Sequence, residues 1–463
     1  MSLSPPKIKI FLMLTIGLIV MTMGYYNNRW GAVETTFYED WQNVFEPPVI
    51  GRLAKSARDG ILSAGGLLGL VNFDVPPGEN PSVQIWMAPR KVIEYQYDAY
   101  LDQEPFQTYA TYDSAPGAQG VILGALDRIS PFPPNVNLKL FRGSAALLTA
   151  LVLSLLFLWF GREFGPLSTG LCLLFAPFSL WLTLLAGNLY WNLWAFFLPL
   201  VAVLFLTEKY SKADPFKAGS LFVLLFVTAL TKVLFNGFEF VTTAWVMISV
   251  PLIYYAVLDH WKWMDFLKRM ASLVGILSLV TAVGLLILAS QVASVEGGYA
   301  NAATIILDAL SRRSIGDPSK YNGIFQEALD AKFSTVLWNY LHFPTLHLPG
   351  VEINHSILSA VAHLEYWVWF SVFAVFSVLL LILLIKRPDV QLRKKGLALL
   401  TATWYSSLAP LSWLVFFKAH AYIHVRLAPV IWQMPFLFFG IALVGFVISN
   451  IRPPQKTAQP VTG

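Results

Sequence analysis

The residues of this sequence that could do chemistry begin with a charged cluster in the stretch RLAKSARDGILSAGG, residues 52–66. Arg52, Lys55 and Arg58 are cations close to the carboxyl group of Asp59. Such cations keep a carboxyl group ionised, as a general base or a metal ligand requires, and they could themselves bind a phosphate. The alternative is that the cluster is only the solvated face of a helix, in which Asp59 pairs with Lys55.

Other acidic and polar residues offer alternatives to this cluster. The motif FYEDW places Glu39 and Asp40 nearer the N-terminus, and either could be the base instead of Asp59, which is the preferred candidate. Further along, a sugar could accept or donate hydrogen bonds at Tyr112, Asp113 and Gln119.

A third group of candidates lies in FFKAHAYIHVRLAPV, residues 416–430. His420 and His424 are four residues apart and share one face if the segment is helical, with Lys418 and Arg426 beside them. Contact with a phosphate or a sugar is one interpretation, and an ordinary polar turn is the other. Two histidines could also bind zinc, but such a site needs a third ligand. Lys232 interrupts an apolar run and is either a further phosphate contact or a side chain that reaches for the interface.

The elements that must position these residues are membrane helices. The chain has 463 residues, 56% hydrophobic and 13% charged, with a mean hydropathy of +0.60, which is typical of an all-α polytopic membrane protein. Apolar runs of about 18 residues or more predict about ten transmembrane helices. We expect them at residues 8–26, 143–161, 164–188, 189–207, 218–238, 240–258, 270–294, 366–385, 396–417 and 427–451.

Basic residues concentrate in the short loops on one side of these ten spans, which predicts that both termini are cytoplasmic and that the protein is integral to a bacterial inner membrane. The net charge of +5 then reflects topology and not nucleic-acid binding. The predicted organisation is an N-terminal anchor at 1–27, a large extracytoplasmic loop at 28–142, spans 2–7 at 143–294, a second extracytoplasmic loop at 295–365, spans 8–10 at 366–451, and a cytoplasmic tail at 452–463.

Two short helices are predicted in the first large loop. Ile50, Leu53, Ala57 and Ile61 recur at helical spacing, which predicts an amphipathic helix lying at the membrane interface and stopping at Gly65-Gly66. A second helix is expected after Asp113 or Ser114 as its cap, with Pro116 in its first turn and Pro131 at its end. Gly117, Gly120 and Gly124 would let this helix approach a neighbour closely.

Nucleotide chemistry on the cytoplasmic side is not indicated, because the sequence has neither a Walker-type glycine loop nor an Asp-x-Asp motif. The two large extracytoplasmic loops instead indicate that any chemistry takes place at the outer face of the membrane, on lipid-linked substrates. No cofactor follows from the sequence with certainty, although an acidic site of this kind could hold a divalent metal.

The pattern resembles the GT-C superfamily of membrane glycosyltransferases, in particular the branch of the protein O-mannosyltransferases and the aminoarabinose transferases. Three features carry the resemblance: Asp59-Gly60 in RDGILSAGG, Pro116 in DSAPGAQGVILGAL, and Arg142 at the start of the second span. The chain departs from that family's pattern where it lacks paired prolines and aromatic residues after the acidic motif. The similarity covers roughly residues 1–210.

The resemblance implies a fold and a reaction. A polyprenyl-phosphate sugar would place its tail between the spans, and an Asp would take the proton of an acceptor hydroxyl, which attacks the anomeric carbon with inversion. The implied partners are this donor, membrane lipids and a glycan, lipid or protein acceptor, with no nucleic acid. An O-antigen ligase or polymerase, or a glycolipid flippase or transporter, remains an alternative.

Overall fold

The computed structural model describes residues 5–76, 80–211, 219–347, 364–425 and 427–451. Within this part of the chain the fold is helical apart from one pair of short strands. The first seven helices are α1 (Pro5–Tyr25), α2 (Thr35–Phe45), α3 (Pro47–Asp59), α4 (Pro81–Trp86), α5 (Arg90–Leu101), α6 (Ala118–Ile129) and α7 (Pro134–Phe164). The next seven are α8 (Pro166–Phe175), α9 (Leu180–Ala186), α10 (Leu193–Tyr210), α11 (Gly219–Asn236), α12 (Val241–Leu258), α13 (Trp263–Glu296) and α14 (Tyr299–Arg313). The last seven are α15 (Ile324–Asp330), α16 (Phe333–Leu341), α17 (Tyr366–Lys386), α18 (Val390–Ser406), α19 (Leu408–Phe416), α20 (Lys418–Ile423) and α21 (Phe436–Ile451).

Seven stretches of the described chain are long and apolar enough to cross a membrane, which makes this a polytopic membrane protein. They are Ile10–Asn28, Pro134–Phe164, Leu193–Tyr210, Val241–Leu258, Trp263–Glu296, Tyr366–Lys386 and Pro429–Ile451. These coincide with seven of the ten predicted spans.

The three other predicted spans fall on shorter or interrupted helices. The segment expected at 164–188 divides into α8, a 3-10 turn containing Pro177, and α9. The segment expected at 396–417 divides into α18 and α19 at Ser407. The segment at 218–238 corresponds to α11, whose apolar part, Phe222–Asn236, is short.

One end of the helix bundle carries a layer that we call the head layer, formed by the described residues of 29–133 and 299–347. In it β1 (Gly69–Val71) pairs antiparallel with β2 (Tyr109–Thr111), with Leu70 opposite Ala110. The helix α3 packs against β1, α5 and α6. The predicted position of α3 at a lipid interface is therefore wrong, because most of its residues from Pro47 to Ser56 are buried by protein. It ends at Gly60, in a backbone conformation with φ of 95°, and not at Gly65-Gly66.

The predicted close approach of α6 to a neighbouring helix is confirmed. A Cβ atom added to Gly120 would lie 2.6 Å from Cγ of Arg52, and one added to Gly124 would lie 2.9 Å from Cβ of Ser56. The predicted cap is wrong, since α6 begins after Gly117 in a left-handed conformation, and Asp113 and Ser114 precede the helix. The glycines thus fix how tightly α3 and α6 pack.

Candidate functional site

One face of α2 lines a cavity at the head-layer end of the bundle. The residues that share this face recur three or four positions apart, as one side of an α-helix requires: Phe37, Asp40, Trp41, Val44 and Phe45. The helix starts where the Glu34 carboxylate accepts hydrogen bonds from the backbone N–H groups of Thr36 and Phe37, at 3.1 and 2.9 Å. Asp40 is therefore presented to the cavity by the period of the helix itself.

Buried polar contacts fix the C-terminal end of α2. The Gln42 side chain accepts a hydrogen bond of 2.7 Å from the Asn188 amide, and the Glu46 carboxylate accepts one of 3.1 Å from the backbone N–H of Leu189. Glu46 also forms an ion pair with Arg142, whose Nε atom lies 2.9 Å from a carboxylate oxygen. These contacts tie α2 to α7 and to the turn that precedes α10.

The cavity has a volume of about 640 Å³ and largely aromatic walls, and we call it the aromatic cavity. Trp86 lies at the centre of the wall, with ring centroids 5.4 Å from Phe45, 5.4 Å from Tyr112 and 5.2 Å from Tyr190. Trp191 and Phe240 continue it as a stacked pair 5.7 Å apart. Aromatic faces of this kind could hold the apolar face of a sugar ring or another flat ligand.

A charged cluster lines another part of the aromatic cavity. The Glu239 carboxylate lies 3.0 Å from Nε2 of His420 and 4.0 Å from a guanidinium nitrogen of Arg313. The rings of His424 and His420 meet edge-on with centroids 4.4 Å apart, and Arg312 also lines this cavity. The cluster combines two arginines and two histidines with one buried carboxylate, so it suits an anionic group on a ligand.

The electrostatics of this cluster follow from burial and proximity. Burial opposes the ionisation of Glu239, but the charge and hydrogen bond of His420 and the charge of Arg313 outweigh it and hold the pKa of Glu239 below its usual range. Burial lowers the pKa of His424 well below its usual value, and the charge of His420 lowers it further. His424 is therefore a neutral imidazole near neutral pH.

A second cavity, of about 790 Å³, extends between α12, α13, α14 and α19, and we call it the apolar cavity. On α13 its lining runs from Met270 to Leu288, a distance of about 27 Å along a helix. Glu239 and Arg313 line both cavities, so the charged cluster stands where they meet. Asp113 and Ser114 line the apolar cavity close to this junction.

The structure places the predicted cluster of residues 52–59 outside the linings of both cavities. The Asp59 carboxylate forms ion pairs with Lys55 at 2.6 Å and with Arg58 at 2.7 Å. These partners hold the pKa of Asp59 well below its usual range, through the hydrogen bond of Arg58 first and that of Lys55 second. Asp59 is thus ionised, as predicted, but on a different surface from Asp40. Glu39 is exposed and lines neither cavity.

Arg52 and Arg58 are held by the head layer itself. The Arg52 side chain is fully buried and donates to the backbone carbonyls of Ser63 and Ile61, so it does not have the exposed position that contact with a lipid phosphate requires. Arg58 donates to the carbonyl of Phe106 and lies 3.6 Å above its ring. Arg52 therefore closes the loop after α3.

The remaining predicted contacts divide between the cavities and the protein interior. Tyr112, His420 and His424 line the aromatic cavity, and Asp113 lines the apolar one. The others are engaged with backbone carbonyls: Gln119 with Tyr190 at 3.4 Å, Lys418 with Leu329 at 2.7 Å, and Lys232 with Gly237 at 2.9 Å and Glu239 at 2.6 Å. Lys232 does not reach for the interface, and it shapes the turn that carries Glu239. Arg426 lies outside the described residues.

Sequence patterns missed several residues of the site. Glu239, Arg312 and Arg313 belong to the charged cluster, and Trp86 and Tyr190 belong to the aromatic wall. The only signal in the sequence was the pair of arginines in SRRS, within a stretch expected to be a loop. In the described part of the chain, no group of three or more His, Cys, Asp or Glu residues is placed to hold a metal ion.

No family model, no curated protein and no solved structure matches this chain.

Proposed function

We propose that the chain is a membrane glycosyltransferase that transfers a sugar from a polyprenyl-phosphate donor to an acceptor hydroxyl. The observation that carries the proposal is the junction of the two cavities at Arg313 and Glu239. A lipid-linked sugar has an apolar tail, an anionic phosphate and a polar ring in that order. The apolar cavity, the charged cluster and the aromatic cavity follow one another in the same order.

The proposed topology has ten membrane passes with both termini in the cytoplasm. Besides the seven long helices, it counts α8 with α9, α11, and α18 with α19 as single passes. The short connections at 165, 187–192 and 387–389 support this count, because each of them joins two helices that pack against each other. The head layer then lies at the extracytoplasmic face, with the GT-C-like arrangement that the sequence resembles.

In the proposed reaction Asp40 is the general base. It is preferred to Asp59 and Glu39 because it alone of the three lines the aromatic cavity. A carboxylate at this position can accept the proton of the acceptor hydroxyl. The hydroxyl oxygen forms a bond to the anomeric carbon, the bond from that carbon to the phosphate oxygen breaks, and its electron pair leaves with the phosphate.

The charge that develops on the leaving phosphate needs fixed cations nearby. Arg313 is the proposed contact, since it lies at the junction of the cavities. Glu239 orients Arg313, because its carboxylate lies between Arg313 and His420. Lys232 holds the backbone of the turn that carries Glu239. Aromatic residues such as Trp86 and Tyr190 would hold the sugar ring while the acceptor approaches Asp40.

The proposal is tested by comparing the glycolipids and glycans of a strain that lacks the gene with those of the same strain carrying wild-type or variant protein, by mass spectrometry. The wild type should restore a missing sugar, and Asp40→Asn should not, at equal protein level in the membrane. Glu39→Gln and Asp59→Asn are matched controls and should restore it, because neither residue lines a cavity. Restoration by Asp40→Asn would remove Asp40 as the base. If the strain that lacks the gene had the same glycolipids and glycans as the strain with the wild-type protein, the proposed glycosyltransferase activity would be overturned.

A further inference from the structure

Asp113 is a buried acid that the proposed reaction does not use. Asp113 is 2% exposed and is one of the residues that line the apolar cavity. Both carboxyl oxygens are buried without a hydrogen-bond partner in the described part of the chain. A buried polar group without a partner is costly, so one in a cavity marks a place where a ligand can supply the partner.

Two backbone hydrogen bonds fix the position of the segment that carries Asp113. The N–H of Tyr112 donates to the carbonyl of Leu68 at 2.7 Å, and the N–H of Asp113 donates to the hydroxyl of Ser82 at 2.9 Å. Tyr112 lines the aromatic cavity, with its hydroxyl 3.2 Å from that of Tyr190, while the next residue, Asp113, lines the apolar cavity. The segment is therefore part of the wall between the two cavities.

The surroundings of Asp113 favour its neutral form. Burial raises the pKa of Asp113 to about 7, with a smaller contribution from the negative charge of Glu296 on α13. The Thr111 hydroxyl is close enough to the carboxyl group to lower the pKa of Asp113 in part. Its geometry does not meet that of a hydrogen bond to either carboxyl oxygen. The other titratable or charged groups that face this region are Tyr109 on β2, Arg313 on α14 and Glu239 in the turn before α12. A protonated Asp113 has one O–H group to donate.

The partner of this O–H group must be an acceptor that reaches the end of an apolar cavity. A phosphate on a long apolar chain meets this description, because its oxygens accept hydrogen bonds while its chain fills the space along α13. Arg313 lines the same cavity and supplies the opposite charge. Resting on the proposed function, we infer that Asp113 binds the phosphate of the polyprenyl lipid through the proton that it carries, so that binding requires this proton.

The experiment measures the binding of a polyprenyl methyl phosphodiester to the full-length protein in nanodiscs of zwitterionic phospholipid. This probe keeps a single negative charge across the whole range, so the ligand itself does not titrate. The pKa of Asp113 is about 7, and only the protein with Asp113 protonated should bind the probe. For the wild type, the Kd should therefore rise about 30-fold between about pH 5.5 and about pH 8.5. The Asp113→Asn variant keeps a donor at every pH, so its Kd should stay flat.

The controls separate the outcomes. Asp59→Asn, which changes a carboxyl outside both cavities, should keep the wild-type profile. A wild-type Kd that does not change with pH would overturn the inference, as would the same rise in Asp113→Asn, which would show that the pH dependence comes from another group. Either of these results leaves the proposed function in place. No binding of the lipid by the wild type at any pH would instead count against the proposed function itself.

Discussion

Glu46 and Arg142 form an ion pair that joins the head layer to the first long helix after it. Nε of Arg142 lies 2.9 Å from Oε2 of Glu46, and a second guanidinium nitrogen contacts the same oxygen. Glu46 is fully buried, and its other oxygen accepts the N–H of Leu189. Because Glu46 stands between α2 and α3, this pair sets the position of the helix that carries Asp40.

Removing either partner of this pair should destabilise the protein strongly. We expect Glu46→Ala or Arg142→Ala to cost about 3–5 kcal/mol each, because each leaves a buried or half-buried charge without its partner. The double variant should cost less than the sum, since it leaves neither charge behind. Thermal unfolding in detergent gives the four values of this double-mutant cycle.

The exposed pair of Arg90 and Glu94 provides the control for that cycle. Its side chains are 82% and 60% exposed, so Arg90→Ala should leave the free energy of unfolding nearly unchanged. Additive effects of Glu46→Ala and Arg142→Ala would contradict the importance given to the buried pair.

The stability of the protein should also report the unusual acid at position 113, independently of any substrate. The pKa of Asp113 is raised by burial to about 7, against about 3.9 in an unfolded chain. As the pH rises, the unfolded chain loses the proton of Asp113 at a lower pH than the folded protein does. The free energy of unfolding of the wild type should therefore fall by up to about 4 kcal/mol as the pH rises from about 4 through about 7. The Asn side chain of Asp113→Asn stays neutral at every pH, so this variant should not show the loss of stability.

The measurement is the melting temperature of the wild type and of Asp113→Asn across this pH range. The two should be similar near pH 4, and the variant should become the more stable protein as the pH approaches 7, with no further gain above. A variant that is less stable than the wild type at neutral pH would mean that the ionised carboxylate has a stabilising partner.

Sequence reasoning succeeded where local patterns decide the structure. Hydropathy indicated a polytopic helical protein, and apolar spacing indicated helices close to those observed as α3 and α6. The same spacing also held the signal for Asp40, because Phe37, Trp41 and Val44 recur with it on one face of α2. Charge density drew attention to Asp59 instead, although cations one and four residues away already supply its local partners.

What the sequence could not show is the tertiary proximity of distant residues. Glu239 and His420 are separated by 181 positions and meet only because the turn before α12 packs against α20. Arg52 occupies a polar position of an amphipathic helix, yet a loop that folds back over it makes it fully buried. Periodicity distinguishes the faces of a helix, but it does not say what covers them.

The packing of α3 against the strands leaves no room at Gly51. A Cβ atom there would lie 2.4 Å from the carbonyl oxygen of Gly69 and 2.5 Å from Oε1 of Gln96, whose side chain bonds both the N–H and the carbonyl of Val71. Gly51→Ala must therefore push α3 away from β1, and we expect a loss of about 1–3 kcal/mol from overpacking. Gly275 is the matched control, because it lies in α13 with nothing within 4 Å of an added Cβ. Gly275→Ala should leave the melting temperature unchanged or raise it, as alanine favours the helix. Equal melting temperatures for the two variants would show that α3 does not depend on this close contact with β1.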